Sequence, residues 1–159
     1  MYKRRLWSVR HAGWLERVYH SIEFFLSLLH PLFKRIGYAR VDALVMAVEK
    51  PVKKTLFESR SCGQCELGGS GLSCPMNCPK SLRNGPCGGV RMDGTCEVKP
   101  DMPCVWVLAW QGSQSVRGGV EKIQVVKAPL DRRLEGTSAW LREVRRKKHY
   151  DEPAELLNR

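Results

Sequence analysis

The chain has 159 residues, enough for one compact domain with extended arms, and its 43% hydrophobic and 27% charged content exclude wholesale disorder. Its formal net charge of +11 predicts an anionic partner such as a nucleic acid, a membrane surface or an acidic protein. Residues 1–60 carry +7, residues 61–104 are neutral, and residues 105–159 carry +4. The basic character therefore belongs to the two flanks.

The N-terminal sequence has no apolar segment followed by a small-residue cleavage site, so we expect no secretory signal. The most apolar run, FFLSLLHPLF, is far shorter than the roughly 20 residues that a membrane span needs. We therefore expect a cytoplasmic protein with no membrane span. In that reducing compartment, an odd number of clustered cysteines favours metal or redox chemistry over disulfides.

The first predicted element is a helical arm over residues 1–57. Apolar residues recur at steps of three and four between Trp14 and Ile36, which predicts a helix with one apolar face. Pro31 should kink or break this helix, and Gly37 should end it. The stripe consists of Leu15, Val18, Ile22, Phe25, Leu29, Leu32 and Ile36. It either packs against the protein's own core or docks on a partner protein.

Two further short helices are predicted at the end of this arm. One covers residues 41–48, and Pro51 opens the other, PVKKTLF, because proline suits a first helical turn. Residues 58–112 form the predicted Cys-rich domain. Within its residues 58–104, glycines and turn signals such as Asn84-Gly85 indicate little regular structure. A bound metal would replace a hydrophobic core as the organising element there.

Residues 113–159 form a predicted basic C-terminal arm. Just before it, VWVLAW is a short helix or strand that closes over the site with Trp106 and Trp110. EKIQVVKAP, residues 121–129, is expected to be extended. Thr137 is expected to cap a helix through SAWLREVRRKKHY, and the last residues, DEPAELLNR, form a tail. The predicted fold class is therefore a small, metal-organised domain of helices and irregular structure.

The cysteines carry the strongest functional signal. Successive cysteines are separated by 2, 8, 3, 8, 8 and 7 residues, and no histidine lies among them. They are Cys62, Cys65, Cys74, Cys78, Cys87, Cys96 and Cys104. So dense a cluster indicates metal binding, and all seven are candidate ligands.

The identity of the metal stays open between an iron–sulfur cluster and zinc. The second CxxC motif of a zinc ribbon is absent, and zinc would have to use thiolates alone. Cys74 and Cys78 are each followed by proline, as is a ligand of ferredoxin-type clusters. The spacing thus favours iron–sulfur over zinc, and zinc over a disulfide network.

The segment from CGQCELGGSGLSCPMNCPKSLRNGPCGG to GTCEVKPDMPCVWVLAW resembles the C-terminal domain family of methylenetetrahydrofolate reductases. The resemblance covers roughly residues 43–112, and CPKSLRNGPCGG is its most specific part. It implies a non-catalytic accessory subunit of an oxidoreductase complex in one-carbon folate metabolism. Its partner would be the flavin-bearing catalytic subunit, to which it would pass electrons from a donor protein through a 4Fe-4S cluster. The resemblance is also compatible with a structural zinc ion.

Members of this family commonly carry a further cysteine three positions before the CxxC motif, where this chain has Ser59. If two four-cysteine centres are the family pattern, this chain is one thiolate short. Either one centre has a non-cysteine ligand or only one centre is assembled, and we favour the second interpretation. The alternative is a purely structural role, in which Ser59 caps a turn.

A zinc-stabilised nucleic-acid-binding module is the rival class. It is motivated by the net charge and by the run RRKKH at residues 145–149. Aromatic residues are not interleaved with these basic residues as single-strand binding prefers, so we do not expect a nucleic-acid partner. No phosphate-binding loop is present, and the sequence singles out no catalytic residue.

Overall fold

The computed structural model describes residues 2–149, and within them the protein is built from seven α-helices and no strand. The helices are α1 (Lys3–Arg10), α2 (Ala12–Leu28), α3 (His30–Ile36), α4 (Tyr38–Phe57), α5 (Val105–Ser113), α6 (Gly119–Gln124) and α7 (Ala139–Lys147). Short 3₁₀ turns lie at Leu67–Gly69, Pro75–Asn77 and Arg132–Leu134. The prediction of a small, largely helical protein with irregular segments is confirmed. None of the described helices is both long and apolar enough to cross a membrane.

The predicted interruption of the N-terminal helix is confirmed. The helix is interrupted at Leu29, between α2 and α3. Pro31 occupies the first turn of α3, where a backbone N–H would have no hydrogen-bond partner within the helix. Gly37 ends α3 with φ +96°, a conformation that favours glycine. Two local signals therefore place both boundaries.

The predicted pair of helices after Gly37 is wrong, because α4 runs unbroken from Tyr38 to Phe57 with Pro51 inside it. Pro51 is exposed, while Glu49, Lys53 and Phe57 around it are buried. The packing of this buried face keeps the helix continuous although a proline inside a helix removes one backbone hydrogen bond.

VWVLAW forms a helix, α5, which is one of the two forms predicted for it. Two other C-terminal predictions need correction. Residues 121–129 are not extended throughout, because Gly119–Gln124 forms α6 before the chain extends. The cap of α7 is Ser138 rather than Thr137, because the Ser138 side chain accepts a hydrogen bond from the Leu141 amide. The predicted tail DEPAELLNR lies outside the described residues.

One apolar cluster joins helices to one another, and a second joins helices to the Cys-rich segment. Phe33, Tyr38, Val41 and Leu141 pack together and join α3, α4 and α7. The second cluster joins α2 and the end of α4 to the Cys-rich loops and comprises Ala12, Leu15, Phe57, Leu67, Leu72, Cys74 and Val116. Helix α2 and the end of α4 thus pack in the same cluster as Cys74.

Most of the predicted apolar stripe on α2 and α3 faces solvent. Of its seven members Leu15 is buried, whereas Phe25 is 64% exposed and Leu29, Leu32 and Ile36 are each more than 40% exposed. Phe24 and Leu28, just outside the predicted stripe, are 69% and 65% exposed. We call Phe24, Phe25, Leu28, Leu29, Leu32 and Ile36 the apolar surface of α2–α3. Contiguous apolar surface of this kind is typical of protein–protein contact sites.

The Cys-rich segment contains little regular structure, as predicted. Besides two 3₁₀ turns, its described backbone has two isolated antiparallel bridges, Val90 with Cys96 and Thr95 with Pro103. Whether a metal organises this segment stays a proposal.

Candidate metal centre

Three of the seven cysteines line one small cavity. Cys62, Cys65 and Cys74 share it with Ser59 and Ser61. Its volume is about 20 Å³, the space of about one water molecule. The cavity is therefore lined by three cysteines and by no fourth.

The backbone of the CxxC motif is held tightly against the chain before α7. Gly63 has φ +71°, and a Cβ atom there would clash with the carbonyl oxygen of Leu134. The Gln64 side chain accepts a hydrogen bond from the Asp131 amide, and the Gly136 amide donates to the Ser61 carbonyl. This anchoring sets where Cys62 and Cys65 point.

Cys74 is the most enclosed of the three thiols, with 5% of its surface exposed. Burial raises its pKa, and the neighbouring Cys65 raises it further. A bare thiolate at Cys74 is therefore costly, whereas a positive charge or a metal ion in the cavity would stabilise it.

A buried lysine lies beside this cavity. Lys53 is 2% exposed, and its ammonium is 2.5 Å from Glu49, 5.5 Å from the ring centre of Tyr19 and 5.3 Å from that of Trp140. Burial acts to lower the pKa of Lys53, but Cys65 and then Glu49 raise it above its ordinary value. The ammonium is thus a cation held between a carboxylate, two aromatic faces and a thiol of the cavity.

Glu49 connects Lys53 to the start of α7. Its carboxylate accepts hydrogen bonds from the Ser138 hydroxyl at 2.6 Å and from the amides of Ala139 and Trp140 at 3.2 and 3.3 Å. These donors and the positive end of the helix compensate much of the Glu49 charge. Glu49 and Lys53 both line the cavity, so a buried ion pair borders it.

Tyr19 closes the same site from α2. Its hydroxyl donates a hydrogen bond to Cys65 Sγ over 3.5 Å, and its ring meets Trp140 edge to face at 6.1 Å. Burial, followed by Cys65, raises the pKa of Tyr19. The phenol therefore stays protonated and remains a donor to the sulfur.

The other four predicted ligands lie in later turns of the loop. Cys78 and Cys96 pack against one apolar cluster with Met102 and Val105. Cys104 immediately precedes α5 and packs beside Trp106. The exposed Cys87 lies 3.6 Å from Glu97, which pairs with Lys80. The Cys104 amide donates a hydrogen bond to the Gly94 carbonyl and the Cys96 amide donates one to the Met102 carbonyl, which holds these two cysteines in one turn of the loop.

The chemistry of the cavity residues fits a thiophilic metal. Thiols are soft ligands that suit zinc and iron–sulfur clusters. Across residues 2–149, however, no three or more His, Cys, Asp or Glu side chains are arranged to hold a metal ion. Binding would require the cavity thiols to draw in around an ion, and the small cavity would have to widen to take a four-iron cluster.

Sequence reasoning did not identify Tyr19, Glu49, Lys53 or Trp140 as part of this site. Lys53 lies in the run KPVKK, which is typical of a solvated helix face. Tyr19 of α2 lies 46 positions before Cys65 in the sequence. One signal was available: with Pro51 inside one helix, Glu49 and Lys53 are one turn apart on the same face.

One known protein family matches the part of the chain that contains the cavity cysteines. A family model described as methylene-tetrahydrofolate reductase C terminal matches residues 38–133, from the start of α4 through the Cys-rich segment to the turn before α7. The chain belongs to this family. No significant match was found among curated proteins or among solved structures. Helices α1–α3 and α7 lie outside the matched residues, yet α2 and α7 supply the Tyr19, Trp140 and Ser138 contacts at the site.

Proposed function

We propose that the protein is an accessory subunit of a methylenetetrahydrofolate reductase, with cysteine thiolates that hold a metal centre next to a flavin-bearing catalytic subunit. The observation that carries the proposal is the cavity lined by Cys62, Cys65 and Cys74, because all three lie in the part of the chain that matches the reductase family. Cys78, Cys87, Cys96 and Cys104 are candidates for a second centre.

The cofactor that we propose is a 4Fe-4S cluster, which would supply one-electron transfer when bound. The role of the chain is then to hold the ligands, to exclude water with the buried Cys74 and the aromatic residues Tyr19 and Trp140, and to place a cation beside the sulfur atoms. The chain would receive electrons from a donor protein and pass them to the flavin of its partner. No residue of this chain is assigned to folate chemistry.

A structural zinc ion is the second candidate. The water-sized cavity favours it, since one ion needs less room than a cluster. A nucleic-acid role receives less support, because Arg146 and Lys147 of the basic run form ion pairs with Glu143 and Glu23.

Anaerobic spectroscopy with a flavin subunit tests the proposal. The isolated protein should be brown and should bleach when it is chemically reduced. The reduced protein, mixed under argon with the oxidised flavoprotein, should then reduce the flavin. A colourless protein that holds only stoichiometric zinc and leaves the flavin oxidised would reject the electron-relay function and leave the structural one.

Ser59 gives a test of the cavity. Ser59→Cys would add a fourth thiol to the three, and four thiolates complete a tetrahedral site. We expect zinc affinity to rise by about tenfold or more, equivalent to about 1.4 kcal/mol. Competition with a chromophoric chelator measures it, and Ser81→Cys, an exposed position outside the cavity, is the control. Equal affinities for wild type and Ser59→Cys would show that the cavity is not the binding site.

The apolar surface of α2–α3 is the proposed contact for the catalytic subunit. Replacing both Phe25 and Leu28 with serine should weaken association by roughly 30-fold, the effect of losing about 2 kcal/mol at an interface hot spot. Thermal stability should change little because both side chains are more than 60% exposed. Val126→Ser, at an apolar position that is even more exposed and lies outside α2 and α3, is the control in a pull-down or titration. Unchanged association would place the interface elsewhere.

A further inference from the structure

We propose that a groove between α2, α7 and residues 122–128 binds a small phosphate-bearing ligand, whose phosphate lies between Arg83 and Lys127. We call it the α2–α7 groove. Its volume is about 740 Å³, and small-molecule and cofactor sites commonly have about 300–1,000 Å³. The proposal goes beyond the metal centre and does not depend on a bound metal.

Basic side chains outnumber acidic ones along the α2–α7 groove. Its basic residues are Arg83, Lys122, Lys127, Arg142, Arg146 and Lys147. Its acidic residues are Glu16, Glu23, Glu66 and Glu143. Each of these carboxylates forms an ion pair with a basic residue of the groove. The groove therefore keeps a net positive charge that attracts an anion.

Arg83 is a nearly buried guanidinium with incomplete hydrogen bonding. Its side chain is 10% exposed, and its Nε atom is buried without a hydrogen-bond partner among the described residues. Its Nη2 atom is 3.6 Å from Glu66, and its Nη1 atom is 3.9 Å from the sulfur of Met76, a weak acceptor. Charge-assisted hydrogen bonds to oxygen are shorter, at about 2.7–2.9 Å. An arginine this enclosed and this poorly paired indicates that an anionic partner completes the site.

Lys127 brings a second cation to the same carboxylate. Its Nζ atom is 3.8 Å from one oxygen of Glu66, and Arg83 lies beside the other oxygen. Asn84, the residue after Arg83, holds the backbone of Lys127 in place. The Asn84 side chain donates a hydrogen bond to the Lys127 carbonyl at 3.0 Å and accepts one from the Lys127 amide at 2.7 Å. Two fixed cations thus share one carboxylate, and neither lies within the distance of a short hydrogen bond to it.

A phosphate group suits this pair of cations. Its several oxygen atoms can accept hydrogen bonds from a guanidinium fork and an ammonium group at the same time. Arg83 lines both the α2–α7 groove and the cysteine cavity, whereas Lys127 lines the groove alone. A phosphate that contacts both therefore lies on the groove side. The exposed apolar residues Val125 and Val126 also line the groove and offer contact area to the uncharged part of a ligand.

The test is isothermal titration calorimetry of the full-length chain, at equal metal content for all variants, with ADP, pyrophosphate and adenosine. ADP and pyrophosphate should bind, and the uncharged adenosine should bind far more weakly. Arg83→Met and Lys127→Met should each lower the affinity for ADP by about 10- to 100-fold, the effect of losing hydrogen bonds to a charged group. Glu66→Gln removes the competing negative charge and should bind ADP at least as tightly as wild type.

Arg91→Met is the matched control, because it removes one exposed positive charge outside the groove and should bind ADP like wild type. An equal loss in Arg91→Met and Arg83→Met would overturn the proposal, as would adenosine binding as tight as that of ADP or no binding of ADP and pyrophosphate. If Arg83→Met does not fold, unchanged affinity in Lys127→Met overturns the proposal and a loss upholds it. Tighter binding of ADP than of pyrophosphate would uphold a nucleotide ligand, and the reverse would uphold a free phosphate.

Discussion

Glu49→Ala lowers the free energy of unfolding by about 3–5 kcal/mol, the usual cost of removing one partner from a buried ion pair. The substitution leaves the Lys53 ammonium, 2% exposed, without its carboxylate. It also removes the acceptor for the Ser138 hydroxyl and for two amides at the start of α7. Urea unfolding followed by tryptophan fluorescence, at equal metal content for both proteins, measures the change.

The matching control removes both charges. Combining Glu49→Ala with Lys53→Met leaves no buried charge unpaired, so the double variant should be more stable than Glu49→Ala alone. A loss below about 1 kcal/mol in Glu49→Ala, the range of an exposed ion pair, would contradict the buried position of this pair.

Replacing Cys62, Cys65 and Cys74 together with serine should remove all metal bound in the cavity, because serine oxygen is a poor substitute for a thiolate with soft metals. Elemental analysis of protein isolated without oxygen gives the readout. If Cys78, Cys87, Cys96 and Cys104 form a second centre, the triple variant should keep that share of the metal. A single centre in the cavity would instead leave the variant without metal.

The reciprocal variant completes this test. Serine at Cys78, Cys87, Cys96 and Cys104 should leave the cavity metal in place, provided that circular dichroism shows the helices intact. Wild-type metal content in the variant that lacks Cys62, Cys65 and Cys74 would contradict a metal site in the cavity.

The sequence predicts a helix boundary correctly where the backbone of a single residue determines it. Pro31 and Gly37 act through their own backbones, so the break after α2 and the end of α3 follow from local chemistry. Pro51 gives the opposite outcome, because the buried side chains of α4 outweigh the local preference of a proline for a helix start. Ser138 rather than Thr137 caps α7 because Glu49 also holds its hydroxyl, which is a tertiary contact.

The candidate site likewise has one part that the sequence predicts and another that depends on tertiary contacts. The cysteines and their candidacy as ligands follow from spacing, and the family is recognisable from CPKSLRNGPCGG and its surroundings. That three of the cysteines share a cavity with Ser59 depends on the folded path of the loop. The contacts of Lys53 with Tyr19 and Trp140 join α2, α4 and α7, and no sequence pattern encodes such distant pairings.

Measuring iron, zinc and acid-labile sulfide in the anaerobically isolated full-length chain is the most direct test of a thiolate metal centre. We predict iron and sulfide in nearly equal amounts, with at least four of each per chain. Zinc without sulfide would contradict the electron relay and retain a structural metal site. Protein with neither iron nor zinc, still folded and with all seven thiols free, would contradict the metal centre itself.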